Sequence, residues 1–133
     1  MLKAKYVSEN SLYKNSDIIS LHLPYNNNTH HSMNSKIFKI MKKTSFLINT
    51  SRGKIVNEKH LVSALKTKQI QGAGMDVYEM EPIKKDNPLL KLENVVLSPH
   101  VGSSTKETRQ KMSDITAKNL ILGLEGKKLL YSV

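Results

Sequence analysis

An arginine, a set of acids and a histidine stand just past three short apolar runs of this sequence, and together they could bind an anion and move a proton. Arg52 follows Phe46-Leu47-Ile48-Asn49 in the polar turn Thr50-Ser51-Arg52-Gly53. Asp76, Glu79 and Glu81 follow Gly72-Ala73-Gly74-Met75. His100 follows Asn94-Val95-Val96-Leu97-Ser98. Arg52 is one of only two arginines, the other being Arg109. Its guanidinium is a rigid fork that holds a carboxylate bidentately, which a lysine cannot do. A histidine exchanges a proton near neutral pH, and a carboxylate beside it orients the ring and favours its charged form. For any one of these residues alone the simpler explanation is a strand-end ion pair. Recurrence at consecutive strand ends favours a site. The set contains no nucleophile and suits proton transfer coupled to chemistry performed by a bound cofactor.

The elements that must position these residues alternate between strand and helix. Residues 4–7 read as a short strand, and Ser8 caps a brief helical turn through Lys14. Residues 18–23, bounded by Asp17 and Pro24, form an apolar run suited to a strand buried on both faces. Pro24 and Asn26-Asn27-Asn28 make a loop. Asn34 caps a helix whose stripe is Ile37, Ile40 and Met41, with Met33 stapled on Phe38. Residues 45–49 are the next strand. Asn57 caps a second helix with Leu61, Val62, Ala64 and Leu65 on its buried face. Residues 72–77 and 94–98 are two more strands, joined by a segment without helical pattern. Ser104-x-x-Glu107 is a capping box for the longest helix, carrying Met112, Ile115, Ala117, Leu120 and Leu124 and ended by Gly123 and Gly126. Such alternation predicts an α/β fold with a mostly parallel sheet and right-handed crossovers. In open parallel sheets ligands bind beyond the carboxyl ends of the strands. Four such ends then converge: His22-Leu23-Pro24, Thr50-Ser51-Arg52-Gly53, Asp76 through Glu81, and Pro99-His100-Val101-Gly102.

With 133 residues the chain is one domain or part of one. The formal charge of +10 raises nucleic acid as a partner. The lysines are spread over every segment and aromatics are only 5%, too few for a base-stacking platform, so no nucleic acid is expected. No run is apolar enough to span a membrane, and residues 1–6 hold no signal-peptide segment. The absence of cysteine excludes a disulfide framework, a thiolate metal site and a Cys nucleophile. A cytoplasmic location is the expectation. His30, His31 and His22 lack the spacing and acidic partner of a metal site, so no metal is expected; His30 and His31 read as solvated loop residues and His60 as a surface residue.

Asn49-Thr50-Ser51-Arg52-Gly53, Gly74-Met75-Asp76-Val77-Tyr78-Glu79-Met80-Glu81-Pro82 and Ser98-Pro99-His100-Val101-Gly102-Ser103-Ser104-Thr105 resemble the D-isomer-specific 2-hydroxyacid dehydrogenases, closest to their glyoxylate/hydroxypyruvate reductase branch. The resemblance covers nearly the whole chain. It implies a partial Rossmann-like nucleotide-binding domain, residues 1–133 being its C-terminal half and residues 104–126 its closing helix. It implies reduction of glyoxylate- or hydroxypyruvate-type 2-oxo acids with NAD or NADP, and a tendency to dimerise. Carried over by position, Arg52 resembles the substrate-carboxylate arginine, His100 the general acid/base and Glu81, directly before Pro82, its acidic partner, with Glu79 as the rival. Asp76 resembles the residue holding the nicotinamide carboxamide. Leu23, Pro24, Thr50, Ser51, Gly102 and Ser103 resemble the walls of the nicotinamide pocket, with His22 beside them. The family's G-x-G-x-x-G turn and its lid are not in this sequence; Gly72-Ala73-Gly74 lies in a strand. The chain alone is therefore expected to be inactive. A non-catalytic binding or regulatory module of the same fold is the alternative.

Overall fold

The computed structural model describes residues 4–132, and these divide into two compact units with the boundary after His100. The signal-peptide expectation rests partly on residues 1–3, outside the described residues.

The first unit is built on four short parallel strands: β1 (Ile18–Leu21), β2 (Phe46–Asn49), β3 (Gly72–Met75) and β4 (Val95–Leu97), paired in sequence order. Helix α1 (Glu9–Asn15) precedes β1; α2 (Ser35–Ile40) and α3 (Glu58–Lys66) make the first two crossovers. The last crossover is a loop with one 3₁₀ turn, Pro88–Lys91. Each helix starts where a side chain accepts an otherwise orphaned N–H: Ser8 from Ser11, Asn34 from Lys36 and Asn57 from His60. The parallel, alternating architecture is the one expected from sequence.

Register decides where the site falls. Leu21, Asn49, Met75 and Leu97 are Cα partners across the sheet, so all four strands end on one row. The next residues, His22, Thr50, Asp76 and Ser98, therefore start their loops from one edge.

The core lies on one face of the sheet. Ile19, Leu21, Leu47, Ala73 and Met75 point into a cluster completed by Phe38 and Met41, by the buried α3 residues Leu61, Val62, Ala64 and Leu65, and by Leu89. Alternate residues on the other face are open: Ile18 is 66% exposed and Val96 75%. Burial of β1 on both faces is thus corrected to burial on one, because among the described residues no element of this unit covers the other side. The expected α2 stripe is also adjusted. Phe38 is fully buried, whereas Ile37 and Ile40 are only partly buried at its margin.

Residues 4–7 are not a strand. They carry no regular structure and Tyr6 is fully exposed, because no described strand pairs with them.

The second unit is helix α4 (Lys106–Leu124) with its flanking turns. Its cap is Thr105, one residue later than expected, and the Thr105 hydroxyl accepts the Thr108 N–H. Ser104 instead accepts a hydrogen bond from Arg109. The helix ends in a Schellman turn. Gly126 sits at φ 66°, its N–H donates to Gly123, and the Lys127 N–H donates to Leu122. The tail folds back so that Asn119 bonds both Leu130 N–H and Tyr131 C=O.

Candidate active site

The turn after β2 is tied by a buried asparagine. Asn49 is fully buried. Its amide oxygen accepts from the backbone N–H and hydroxyl of Ser51 at 3.1 and 3.0 Å, and its Nδ2 donates to the Arg52 carbonyl at 3.0 Å. This closes an Asx turn and directs residues 51–53 off the strand. Position 53 must be glycine. A β-carbon on Gly53 would lie 1.9 Å from the Tyr78 carbonyl oxygen, so the Arg52 turn rests directly on the loop after β3.

That loop is anchored by Tyr78. The phenol is buried, and its hydroxyl lies 2.8 Å from the Ser98 carbonyl and 3.2 Å from that of Met75, linking the ends of β4 and β3. The Tyr78 N–H donates to Glu81 Oε1 at 3.0 Å. The Glu81–Pro82 peptide bond is cis. The other oxygen of Glu81 lies 2.6 Å from His100 Nδ1. His100 adopts φ 55°, a left-handed conformation that histidine tolerates better than most residues and that concentrates at functional sites.

Arg52, Glu81 and His100 line one cavity of about 410 Å³, together with Tyr25, Lys54 and Tyr78. Burial pulls the Glu81 carboxyl upward. The His100 hydrogen bond, the Tyr78 N–H and the charges of His100 and Arg52 outweigh it and hold Glu81 below the usual carboxylate range. Glu81 is therefore ionised at neutral pH. With Nδ1 committed to Glu81, Nε2 is the His100 atom placed to exchange a proton with a ligand.

A second cavity of about 660 Å³ adjoins the ends of β1 and β2. Leu23, Pro24, His22 and Ser51 line it, with Arg52 on its border. Thr50, expected in that wall, is exposed and does not line it. Asp76 is buried at the end of β3, and its Oδ1 accepts from Ser98 Oγ. Gly102 and Ser103 lie in an exposed turn of the second unit. The apolar wall and the adjoining Ser51 hydroxyl suit a flat, amide-bearing ring. Among the described residues no glycine-rich strand-to-helix turn is present to receive a pyrophosphate.

Two expectations on this edge change, those for His31 and His60. Glu79, the rival to Glu81, lines the same cavity, but its Oε1 lies 2.9 Å from His31 Nε2 and accepts the Glu58 N–H at 2.8 Å. His31 is accordingly a partly buried hydrogen-bond partner of Glu79 rather than a solvated loop residue, and His30 stacks on it at 3.9 Å. His60 is partly buried, with Nδ1 enclosed and without a hydrogen-bond partner. The anchoring roles of Asn49 and Tyr78 were not anticipated. An Asn closing an apolar run before Thr-Ser is an Asx-turn signal that could have found the first; the second depends on tertiary contact.

Residues 1–102 match the model of the D-isomer specific 2-hydroxyacid dehydrogenase NAD-binding domain, and the chain belongs to that family. It is 48% identical over 126 residues to a glyoxylate reductase of Korarchaeum cryptofilum, a match spanning 95% of this chain and 38% of that protein. Among solved structures it superposes on the TT0316 protein from Thermus thermophilus with TM-score 0.93 and 37% identity, covering 99% of this chain and 42% of that one. A glyoxylate reductase from Paecilomyes thermophila superposes with TM-score 0.91 and 38% identity, covering 97% and 39%. The chain thus spans about two fifths of the length of these proteins.

Proposed function

We propose that this chain supplies the catalytic acid and the nicotinamide side of the cofactor pocket in an NAD- or NADP-dependent oxidoreductase that reduces small 2-oxo acids of the glyoxylate and hydroxypyruvate type. The observation that carries the reading is the His100–Glu81 pair at 2.6 Å with Arg52 on the same cavity. The bound nicotinamide supplies the hydride. Arg52 holds the substrate carboxylate in its fork and, beside the 2-oxo group, polarises the carbonyl. His100 delivers a proton from Nε2 to the oxygen that becomes the hydroxyl, and in the reverse direction takes it back. Glu81 holds the ring by Nδ1. Leu23, Pro24 and Ser51 wall the nicotinamide ring, and Asp76 is assigned to its carboxamide on the family pattern. In this reading residues 1–133 are the C-terminal half of a nucleotide-binding domain and are inactive by themselves.

A non-catalytic module of the same fold is the second reading, favoured by the lack of a phosphate-binding turn in the sequence. A chimera separates the two. Residues 1–133 replace the matching part of the Korarchaeum enzyme, and reduction of glyoxylate and hydroxypyruvate is followed with NADH and NADPH. Turnover that falls roughly 10²–10⁴-fold on His100→Gln supports the enzyme. A folded chimera without turnover supports the module.

A further inference from the structure

Glu79 lines the same cavity two residues before Glu81, yet it makes no bond to His100 or Arg52. Its bonds run the other way. Glu79 Oε1 accepts the backbone N–H of Glu58 in the first turn of α3, and Glu58 Oε2 accepts the backbone N–H of Glu79 at 3.3 Å. Each acid therefore fixes the other's main chain. Glu58 Oε1 also accepts from Asn87 Nδ2 at 2.6 Å, and Asn87 caps the 3₁₀ turn before β4 through Leu89 N–H. On the opposite side Glu79 pairs with His31 Nε2, while His31 Nδ1 lies 3.3 Å from Asn57 Nδ2. Asn57 is the α3 cap, and its Oδ1 takes the His60 N–H. These bonds are mutually consistent when His31 carries its proton on Nε2. His31 itself sits at φ 51°, held by its N–H to the Lys54 carbonyl at 2.9 Å.

Two chain segments, the His31 loop and the start of α3, converge on the Glu79 carboxylate. The loop bearing Glu81 is held at Tyr78 on its inner side, and Glu79 is its tie to the start of α3. Beyond it Met80 is 55% exposed, and Glu81 keeps only the Tyr78 N–H and His100. We propose that Glu79 is a positioning residue: the His31–Glu79–Glu58 latch clamps the loop to the α3 N-terminus and so holds Glu81 in register with His100. The inference rests on the functional reading above for the meaning of the Glu81–His100 pair. The latch is sequentially adjacent to that pair but makes no bond to it.

The test is nuclear magnetic resonance of the 133-residue chain, following the His100 Nδ1 proton, which is assigned by its loss in His100→Gln. Glu79→Ala is expected to raise the water-exchange rate of that proton by about tenfold or more, the scale set by losing one charged hydrogen bond. Ile19→Ala, a core truncation outside the loop, is expected to lower the melting temperature without moving the resonance. If Glu79→Ala does not fold, Glu79→Gln is read instead, since it keeps the volume and removes the charge that His31 and the Glu58 N–H share. An exchange rate in the folded Glu79 variant equal to wild type, or one matched by Ile19→Ala, overturns the latch. The resonance surviving unchanged in Glu81→Gln instead overturns the pair itself, and the functional reading with it.

Discussion

Gly53 and Tyr78 touch backbone to backbone: a β-carbon at position 53 would lie 1.9 Å from the Tyr78 carbonyl oxygen and 2.0 Å from its carbonyl carbon. The obstacle is main chain, not the end of a flexible side chain. The contact places the turn bearing Arg52 against the loop bearing Glu81. Gly53→Ala must therefore push the two loops apart. The expected cost is about 1–3 kcal/mol, the range for overpacking a tight site. Urea unfolding of the 133-residue chain measures it, and an unchanged midpoint would show that the loops separate freely.

What the sequence made legible was whatever is decided locally. The caps Ser8, Asn34 and Asn57, the α3 face and the strand ends follow from residue type and spacing, and the parallel register then gathers the ends. What it hid depends on partners far along the chain. Residues 4–7 have strand composition but no neighbouring strand. Ile18 and Val96 are apolar yet exposed, since alternation cannot say whether a second layer is present. Residue type alone does not separate Glu79 from Glu81 as the partner of His100; only the family pattern, with Glu81 directly before Pro82, favours Glu81. Only the tertiary fold turns Glu79 toward His31 and the α3 N-terminus. Thr105 displaced Ser104 as cap because adjacent hydroxyls compete for one helix start, and Arg109 engages the loser.

The depressed ionisation of Glu81 sets a stability window. Its folded-state pKa lies below the ordinary value despite the burial that opposes it, so its interactions stabilise the chain above the ordinary glutamate pKa, about 4.3. That contribution is lost as pH falls through the lower folded value. Wild type is therefore expected to exceed Glu81→Gln in stability at pH 6–7 (about two units above the glutamate pKa), with the gap closing toward pH 3 (about a unit below it). The side chain is 36% exposed, so solvent screening keeps the gap small. Paired denaturant titrations across this range check it. A gap that widens on acidification contradicts the assignment.

The isolated chain should bind nicotinamide dinucleotides poorly. Its cavity at the ends of β1 and β2 offers Leu23, Pro24 and Ser51 to the ring, but no G-x-G-x-x-G turn occurs in the sequence to seat the pyrophosphate on a helix start. Calorimetric titration with NADH and NADPH is expected to give no saturation at micromolar concentrations. Micromolar affinity for either would mean that residues 1–133 hold the dinucleotide by another route.

Arg52→Lys and His100→Gln should fail in different ways in the chimera. Arg52 is exposed toward the cavity, with Nη1 on the Ser51 carbonyl at 2.7 Å, so its guanidinium is held in one orientation by its own turn. Lysine keeps the charge but loses both the fork and that anchor. In the proposed role, Arg52 contacts the substrate carboxylate in the ground state and in the transition state alike. Its loss should raise KM, with a smaller fall in kcat. As the proposed proton donor, His100 would act only when the proton moves, so His100→Gln should lower kcat by roughly 10²–10⁴-fold with KM less affected. Glu81→Gln should retain activity at a reduced kcat, because the ring loses the carboxylate that fixes its orientation through Nδ1. Steady-state profiles with glyoxylate and hydroxypyruvate separate these patterns. Equal losses in kcat for Arg52→Lys and His100→Gln, with KM unmoved in both, would remove the carboxylate-binding role from Arg52. An unchanged kcat for Glu81→Gln would remove Glu81 as the residue that orients His100.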